Sequence, residues 1–201
     1  MPAESEKIFA NLGSGPRYGG LKPSIFSGWS ELRVDIDPAA EPDVIADLTD
    51  LSAIPAGSVQ GVWCSHCIEH LYLHQVPRAL AEIRRILSAE GVVCILVPDL
   101  QTIASAIVAD KLLDVLYESP AGPITPHDVL FGFGRDIAKG RSAMAHRCGF
   151  TPSAMVACLR DAGFEEFVVI RRSNFELAAV AHNSAWPSAQ ARDDLVDQLR
   201  V

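Results

Sequence analysis

The apolar positions fall into two kinds of run. Lys7–Leu12, Leu32–Ile36, Val44–Ala46 and Val59–Cys64 are short stretches of strand length, most of them leading into glycine, aspartate or proline. Val92–Val97 is the most continuous apolar run, bounded by Gly91 and Pro98, and predicts a central parallel strand buried on both faces. Between Val76 and Leu87 the period changes. Val76, Leu80, Ile83 and Leu87 form one helical stripe, and Gly91 is expected to close that helix. Asp99 offers an N-cap to a helix expected to run to about Tyr117, and Thr151-Pro152 starts another that Gly163 ends. Glu166–Arg171 and Phe175–Ala181 read as two strands forming an antiparallel edge. Strands alternating with helices and ending in a hairpin predict an open, mostly parallel α/β sheet.

Two stretches lack this periodicity. From Ser119 to Gly149 the chain is rich in proline and glycine, so residues 119–150 are expected to be a lid or substrate-binding insertion. Residues 184–201 form a tail with a short amphipathic helix around Asp193–Leu199. Trp186 and that helix serve either a homodimer interface or packing on their own domain.

Composition narrows the class. The 201 residues are 49% hydrophobic and 21% charged, enough to bury one core, so residues 1–183 read as a single domain. The net charge of −8 repels phosphate backbones, which disfavours nucleic acid as a partner. Val92–Val97 is far short of the ~18–20 residues of a membrane span, and Met1–Lys7 is too acidic for a signal peptide, so no membrane partner and a cytoplasmic location are expected. Five cysteines, an odd number, fit free thiols better than a disulfide frame.

In open α/β sheets ligands bind beyond the carboxyl ends of the strands. Asn11-Leu12-Gly13-Ser14-Gly15 sits at the first such end, where backbone without Cβ can approach a ligand. The dinucleotide fingerprint asks for a third glycine, and Tyr18 stands there. Asp35 lies about twenty residues further on, after the second strand, placed to accept from both hydroxyls of an adenosine ribose. Asp37 before Pro38 reads as a turn cap. Asp47 ends the third strand and is suited to an adenine amino group. His66-Cys67-Ile68-Glu69-His70 spells His-x-x-Glu-His, a zinc-peptidase word, but it begins at a strand end and no third ligand follows at helical spacing, so no metal is expected. Cys64-x-x-Cys67 crosses the same strand end and reads as coincidence rather than a redox pair.

With these residues in place, the chain resembles the class I S-adenosylmethionine-dependent methyltransferases. The matching words are Asn11–Gly15, Val34-Asp35-Ile36-Asp37-Pro38, Ala46-Asp47-Leu48, Ser65–Leu71, Arg84–Gly91, Val97-Pro98-Asp99 and Leu159–Phe164, in the family's order. The resemblance spans about Lys7 to Asn183. It implies a Rossmann-like, mostly parallel seven-stranded sheet closed by an antiparallel C-terminal hairpin, with helices on both faces. It implies S-adenosylmethionine as cofactor, bound by Leu12, Gly13, Ser14 and Gly15 at the methionine part, by Asp35 and Ile36 at the ribose, by Asp47 and Leu48 at the adenine, and by Ser65 and His66 near the methyl. Few residues precede the first strand, which implies an open cleft, and Arg17 is free to pair with the cofactor's carboxylate.

A sulfonium methyl is already activated, so the protein has to aim a nucleophile and dispose of a proton. His66, and His127 or His146 in the insertion, are the candidate bases; His66 and His146 are taken forward as catalytic, although His146 also suits bracing the next helix. His70 is assigned to the scaffold. Arg135, Lys139, Arg141 and Arg147, with Phe131 and Phe133, suit an anionic or aromatic small-molecule acceptor, or a solvated loop. The activity implied is transfer of methyl to an O, N or C atom of a small-molecule or carrier-bound substrate. A non-catalytic adenosine-binding sensor or partner subunit is the alternative, and a nicotinamide-dependent oxidoreductase a weaker one.

Overall fold

The computed structural model describes residues 6–16 and 24–200. Arg17 and Tyr18, singled out above, lie outside the described residues. The elements run β1 (Ile8–Leu12), β2 (Ser30–Asp35), β3 (Val44–Ile45), β4 (Val59–Ser65), α1 (Val76–Ile86), β5 (Leu87–Pro98), α2 (Leu100–Val108), β6 (Tyr117–Ser119), β7 (Gly122–Ile124), α3 (Pro126–Phe131), α4 (Gly134–Ile137), α5 (Pro152–Asp161), β8 (Glu166–Arg171), β9 (Glu176–His182) and α6 (Ala189–Leu199). Seven strands form one sheet in the order β3-β2-β1-β4-β5-β9-β8. β1 to β5 are parallel, and β9 and β8 close the edge in antiparallel pairing. This is the Rossmann-like architecture expected.

Period-two alternation splits the core in two. Val93, Ile95 and Val97 of β5, with Leu177, Ala179 and Ala181 of β9, face one layer, where Leu80 and Ile83 of α1 and Met155 and Leu159 of α5 cover them. Cys94, Leu96, Ala178 and Val180 face the other, under Phe26 and Leu199 of α6. Burying each such large side chain contributes roughly 1.5–3 kcal/mol. Trp186 and Leu195 pack against that second layer, so the tail covers its own sheet, and its helix is longer than Asp193–Leu199. Among the described residues no helix is long and apolar enough to cross a membrane.

Three boundaries differ from expectation. Gly91 does not close α1: the helix stops at Ile86 because Leu87 turns extended and pairs with Val59, and Gly91 lies inside β5. Asn183 holds this irregular entry, its side-chain amide donating to the carbonyls of Leu87 at 3.2 Å and Ser88 at 3.0 Å. α2 ends at Val108 rather than near Tyr117, because Asp110 adopts a left-handed φ of 58° that a helix cannot continue through. Residues 119–150 are not featureless: they contain the end of β6, then β7, α3 and α4, each too short to show a period. The caps are where the sequence put them. Asp37 accepts from Ala39 N–H at 2.9 Å, Asp99 from Gln101 N–H at 3.0 Å, and Thr151 from Ala154 N–H at 3.3 Å.

Candidate active site

The carboxyl ends of β1 to β4 meet along one rim. The chain leaves β1 at Gly13 with φ +67°, and a Cβ there would stand 2.5 Å from Cys67 Sγ, so both conformation and contact require glycine. Cys67 thus packs under the loop. Gly15 has φ +60° and open space where a Cβ would be, leaving bare backbone that a ligand can press against. Its N–H donates to Asp35 Oδ2 at 2.8 Å, while the Asp37 N–H donates to Oδ1 at 2.9 Å. Each carboxylate oxygen keeps a lone pair for a hydroxyl. Beside Asp35, Ile36 is 56% exposed, an apolar side chain on an otherwise polar rim. Asp47 lies two residues past Ile45, the β3 partner of Asp35, and its Oδ1 caps its own turn by accepting from Thr49 N–H and hydroxyl at 2.7 Å each. Leu48 is buried beside it.

Arg33 holds this rim and was not legible as a site residue, since it reads as one polar position in a strand. It is buried, and its guanidinium donates to the carbonyls of Gly15, of Glu41 at 2.8 Å and of Ala40 at 3.3 Å. Arg33→Met leaves these carbonyls without that donor. We expect a loss of about 1–3 kcal/mol in stability, read by denaturant melts, and a looser Gly15 loop.

Past Ser65 the chain enters a second compartment. His66 adopts a left-handed φ of 50°, with its N–H on the Leu96 carbonyl at 2.9 Å. Non-glycine residues in this region gather at functional sites. Its ring lies between two carboxylates, Nε2 at 2.7 Å from Glu176 and Nδ1 at 3.4 Å from Glu69. Burial pulls its pKa down, but the hydrogen bond to Glu176 and the negative charge of Glu69 beside the ring outweigh it and raise the pKa to about 10. His66 is therefore an imidazolium near neutrality. Burial alone would raise Glu176, and the bond from His66 reverses this and lowers it.

His66 also lines a cavity of about 150 Å³ with His70, Tyr117, Phe133, Met144, His146 and Phe175. A cavity of this size takes a single aromatic ring. His146 is half-buried; its Nδ1 donates to the Val129 carbonyl at 2.8 Å, which leaves Nε2 as an acceptor, and burial lowers its pKa. His127 does not line the cavity and packs on Phe131, with ring centroids 5.0 Å apart. The basic residues of the insertion are engaged locally. Lys139 and Arg141 pair with Asp136, Arg135 donates to the Ala121 carbonyl at 3.3 Å, and Arg147 donates to the His70 carbonyl at 3.1 Å. Glu176, Tyr117 and Phe175 were not anticipated as cavity residues; Glu176 reaches His66 across 110 positions of sequence, and nothing local marks it.

The insertion is brought onto the cavity by Gly132, which pairs with Ala145 at φ +95°; a Cβ there would stand 2.1 Å from the Met144 carbonyl oxygen. Gly132→Ala is expected to cost more than about 1–3 kcal/mol in a thermal or denaturant melt and to displace His146, while the β1–β4 rim keeps its ligand affinity.

Residues 29–95 match the family described as "Methyltransferase domain". No curated protein matches the sequence. Among solved structures, an S-adenosylmethionine-dependent methyltransferase from Methanosarcina mazei superposes with a TM-score of 0.57 at 15% identity, over 90% of this chain and 94% of that one. One from Archaeoglobus fulgidus gives 0.55 at 14% identity, over 89% and 86%. The 1,6-didemethyltoxoflavin-N1-methyltransferase of Burkholderia thailandensis, with bound 1,6-didemethyltoxoflavin and S-adenosylhomocysteine, gives 0.50 at 14% identity, over 90% and 72%.

Proposed function

We propose that this chain is a class I S-adenosylmethionine-dependent methyltransferase that transfers methyl to an O, N or C atom of a small, planar acceptor seated in the cavity beside His146; the methyltransferase-domain match over residues 29–95 and the shared fold support the reading. The observation that carries the reading is the continuity of the two compartments. Ser65 ends the strand that forms the rim, and the next residue, His66, lines the cavity.

The rim fits the cofactor on its own terms: the bare Gly15 backbone, the half-buried Asp35 carboxylate and the exposed Ile36 suit an amino acid, a ribose and an adenine in turn. Leu12, Gly13, Ser14 and Gly15 would hold the methionine part, Asp35 the ribose hydroxyls, and Ile36, Asp47 and Leu48 the adenine, with Ser65 and His66 toward the methyl. When bound, the cofactor supplies a methyl on a sulfonium, already activated for displacement. The chain has to position the acceptor, exclude water and move one proton. Tyr117, Phe133 and Phe175 would clasp a ring and keep water out. His146 Nε2 would take the proton, its lone pair fixed by the Nδ1 bond to Val129. His66, held cationic, would contribute positive charge rather than act as a base. With the insertion's basic side chains engaged locally, the cavity favours an aromatic acceptor over an anionic one.

The test is incubation with methyl-labelled S-adenosylmethionine and a panel of small phenols, catechols, thiophenols and aromatic amines. Label transfer to at least one of them is expected. Binding of the cofactor with no transfer to any would favour the non-catalytic sensor or partner subunit.

A further inference from the structure

The methyl-transfer reading leaves one group of this region without a task. The Glu69 side chain is wholly buried, and neither carboxylate oxygen has a hydrogen-bond partner among the described residues; the charge beside it is His66 Nδ1 at 3.4 Å. A buried carboxylate in that position is costly unless something more satisfies it. His70 and His146 stand next to it with ring centroids 4.9 Å apart, and one ligand atom from each of Glu69, His70 and His146 lies within 4.8 Å of the other two.

Both rings are oriented by the same device. His70 Nδ1 meets the Ala145 carbonyl at 3.2 Å and His146 Nδ1 meets the Val129 carbonyl at 2.8 Å. A carbonyl can only accept, so each Nδ1 carries a proton, and in the neutral ring Nε2 presents a lone pair. Metal-binding histidines are held in this way by outer-shell acceptors. Two imidazoles with fixed tautomers and one unsatisfied carboxylate make a three-ligand set with an open position. The backbone fixes the arrangement independently of any ion: the N–H groups of Arg147 and Cys148 donate to the Glu69 carbonyl at 2.8 and 3.2 Å. The His-x-x-Glu-His word supplies two of the ligands without its first histidine, which is turned to Glu176, and the insertion brings the third.

We infer that Glu69, His70 and His146 bind one divalent transition-metal ion of the zinc type, with its open position toward the cavity that His70 and His146 line. The inference rests on the cavity being the acceptor site, and it changes one role there: His146 holds the ion instead of taking a proton. It also narrows the acceptor to a hydroxyl or thiol. Coordination would ease loss of the O–H or S–H proton to solvent, the freed electron pair would form the new bond to the methyl carbon, and the carbon–sulfur electrons would return to the cofactor's sulfur, leaving S-adenosylhomocysteine.

The full chain, stripped with chelator, is titrated with Zn²⁺ and separately with Co²⁺, whose visible absorption reports nitrogen and oxygen ligation. One ion per chain is expected. Glu69→Gln, His70→Gln and His146→Gln should each weaken Zn²⁺ binding by more than the roughly 10–100-fold that loss of an outer-shell partner costs, whereas His74→Gln, an exposed control, should not. Melts establish that each variant is folded, and the near-isosteric Glu69→Gln keeps the test open if a histidine variant fails to fold. Zn²⁺ bound equally by the folded variants and the native chain, or no binding at micromolar ion, overturns the site. S-adenosylmethionine titration of the same samples separates the two ideas. Cofactor binding without Zn²⁺ defeats the metal site alone, and Zn²⁺ binding without the cofactor defeats the methyl-transfer reading alone.

Discussion

Asp35→Ala should bind S-adenosylmethionine about a hundredfold more weakly than the native chain. The carboxylate already accepts from the N–H groups of Gly15 and Asp37, and each oxygen keeps a further lone pair with which to accept from a ribose hydroxyl. Hydrogen bonds to a charged acceptor are worth about 1.5–3 kcal/mol each, so losing two costs about 3 kcal/mol or more, and 1.4 kcal/mol is a factor of ten. The substitution also frees the Gly15 loop from one anchor, which acts in the same direction. Asp35→Asn keeps the shape and one acceptor oxygen, and an intermediate loss is expected. Titration calorimetry on both variants reads the effect, with melts to show that the fold survives. Unchanged affinity in Asp35→Ala would remove the ribose from this position.

The second large effect is His146→Gln. Methyl transfer should fall by about 10²–10⁴-fold while affinity for the cofactor stays as it was, because His146 lines the cavity and is not part of the β1–β4 rim. The outcome is the same whether Nε2 takes the proton itself or holds an ion that does the equivalent work. His127→Gln separates these from a general effect of altering the insertion. That ring packs on Phe131 outside the cavity, and its removal should leave transfer near the native rate. A His146→Gln chain that transfers methyl normally would mean the acceptor loses its proton elsewhere.

The parts of this site that were legible in the sequence are those made by local chemistry. Gly13 and Gly15 follow a strand directly, Asp35 ends the next one, and Asp37, Asp99 and Thr151 announce their own caps within three residues. The sheet was legible because β4, β5 and β9 carry apolar runs long enough to show a buried strand. What could not be read is made at long range or by elements too short for a period. Glu176 meets His66 across 110 positions, and His70 meets Ala145 across 75. β6, β7, α3 and α4 have three to six residues each, so the insertion that carries Phe133 and His146 shows no period, and Tyr117 just before it reads as a helix end. Gly91 misled for a definite reason. A glycine after a helical stripe is a common cap, but Leu87 found a strand partner in Val59 and left the helix early.

The central claim is that the rim of β1 to β4 is an S-adenosylmethionine site, and calorimetric titration of the native chain tests it most directly. S-adenosylmethionine and S-adenosylhomocysteine are each expected to bind at one site per chain, with NAD giving no heat under the same conditions. A folded chain that binds neither sulfur compound, or that prefers NAD, would contradict the account.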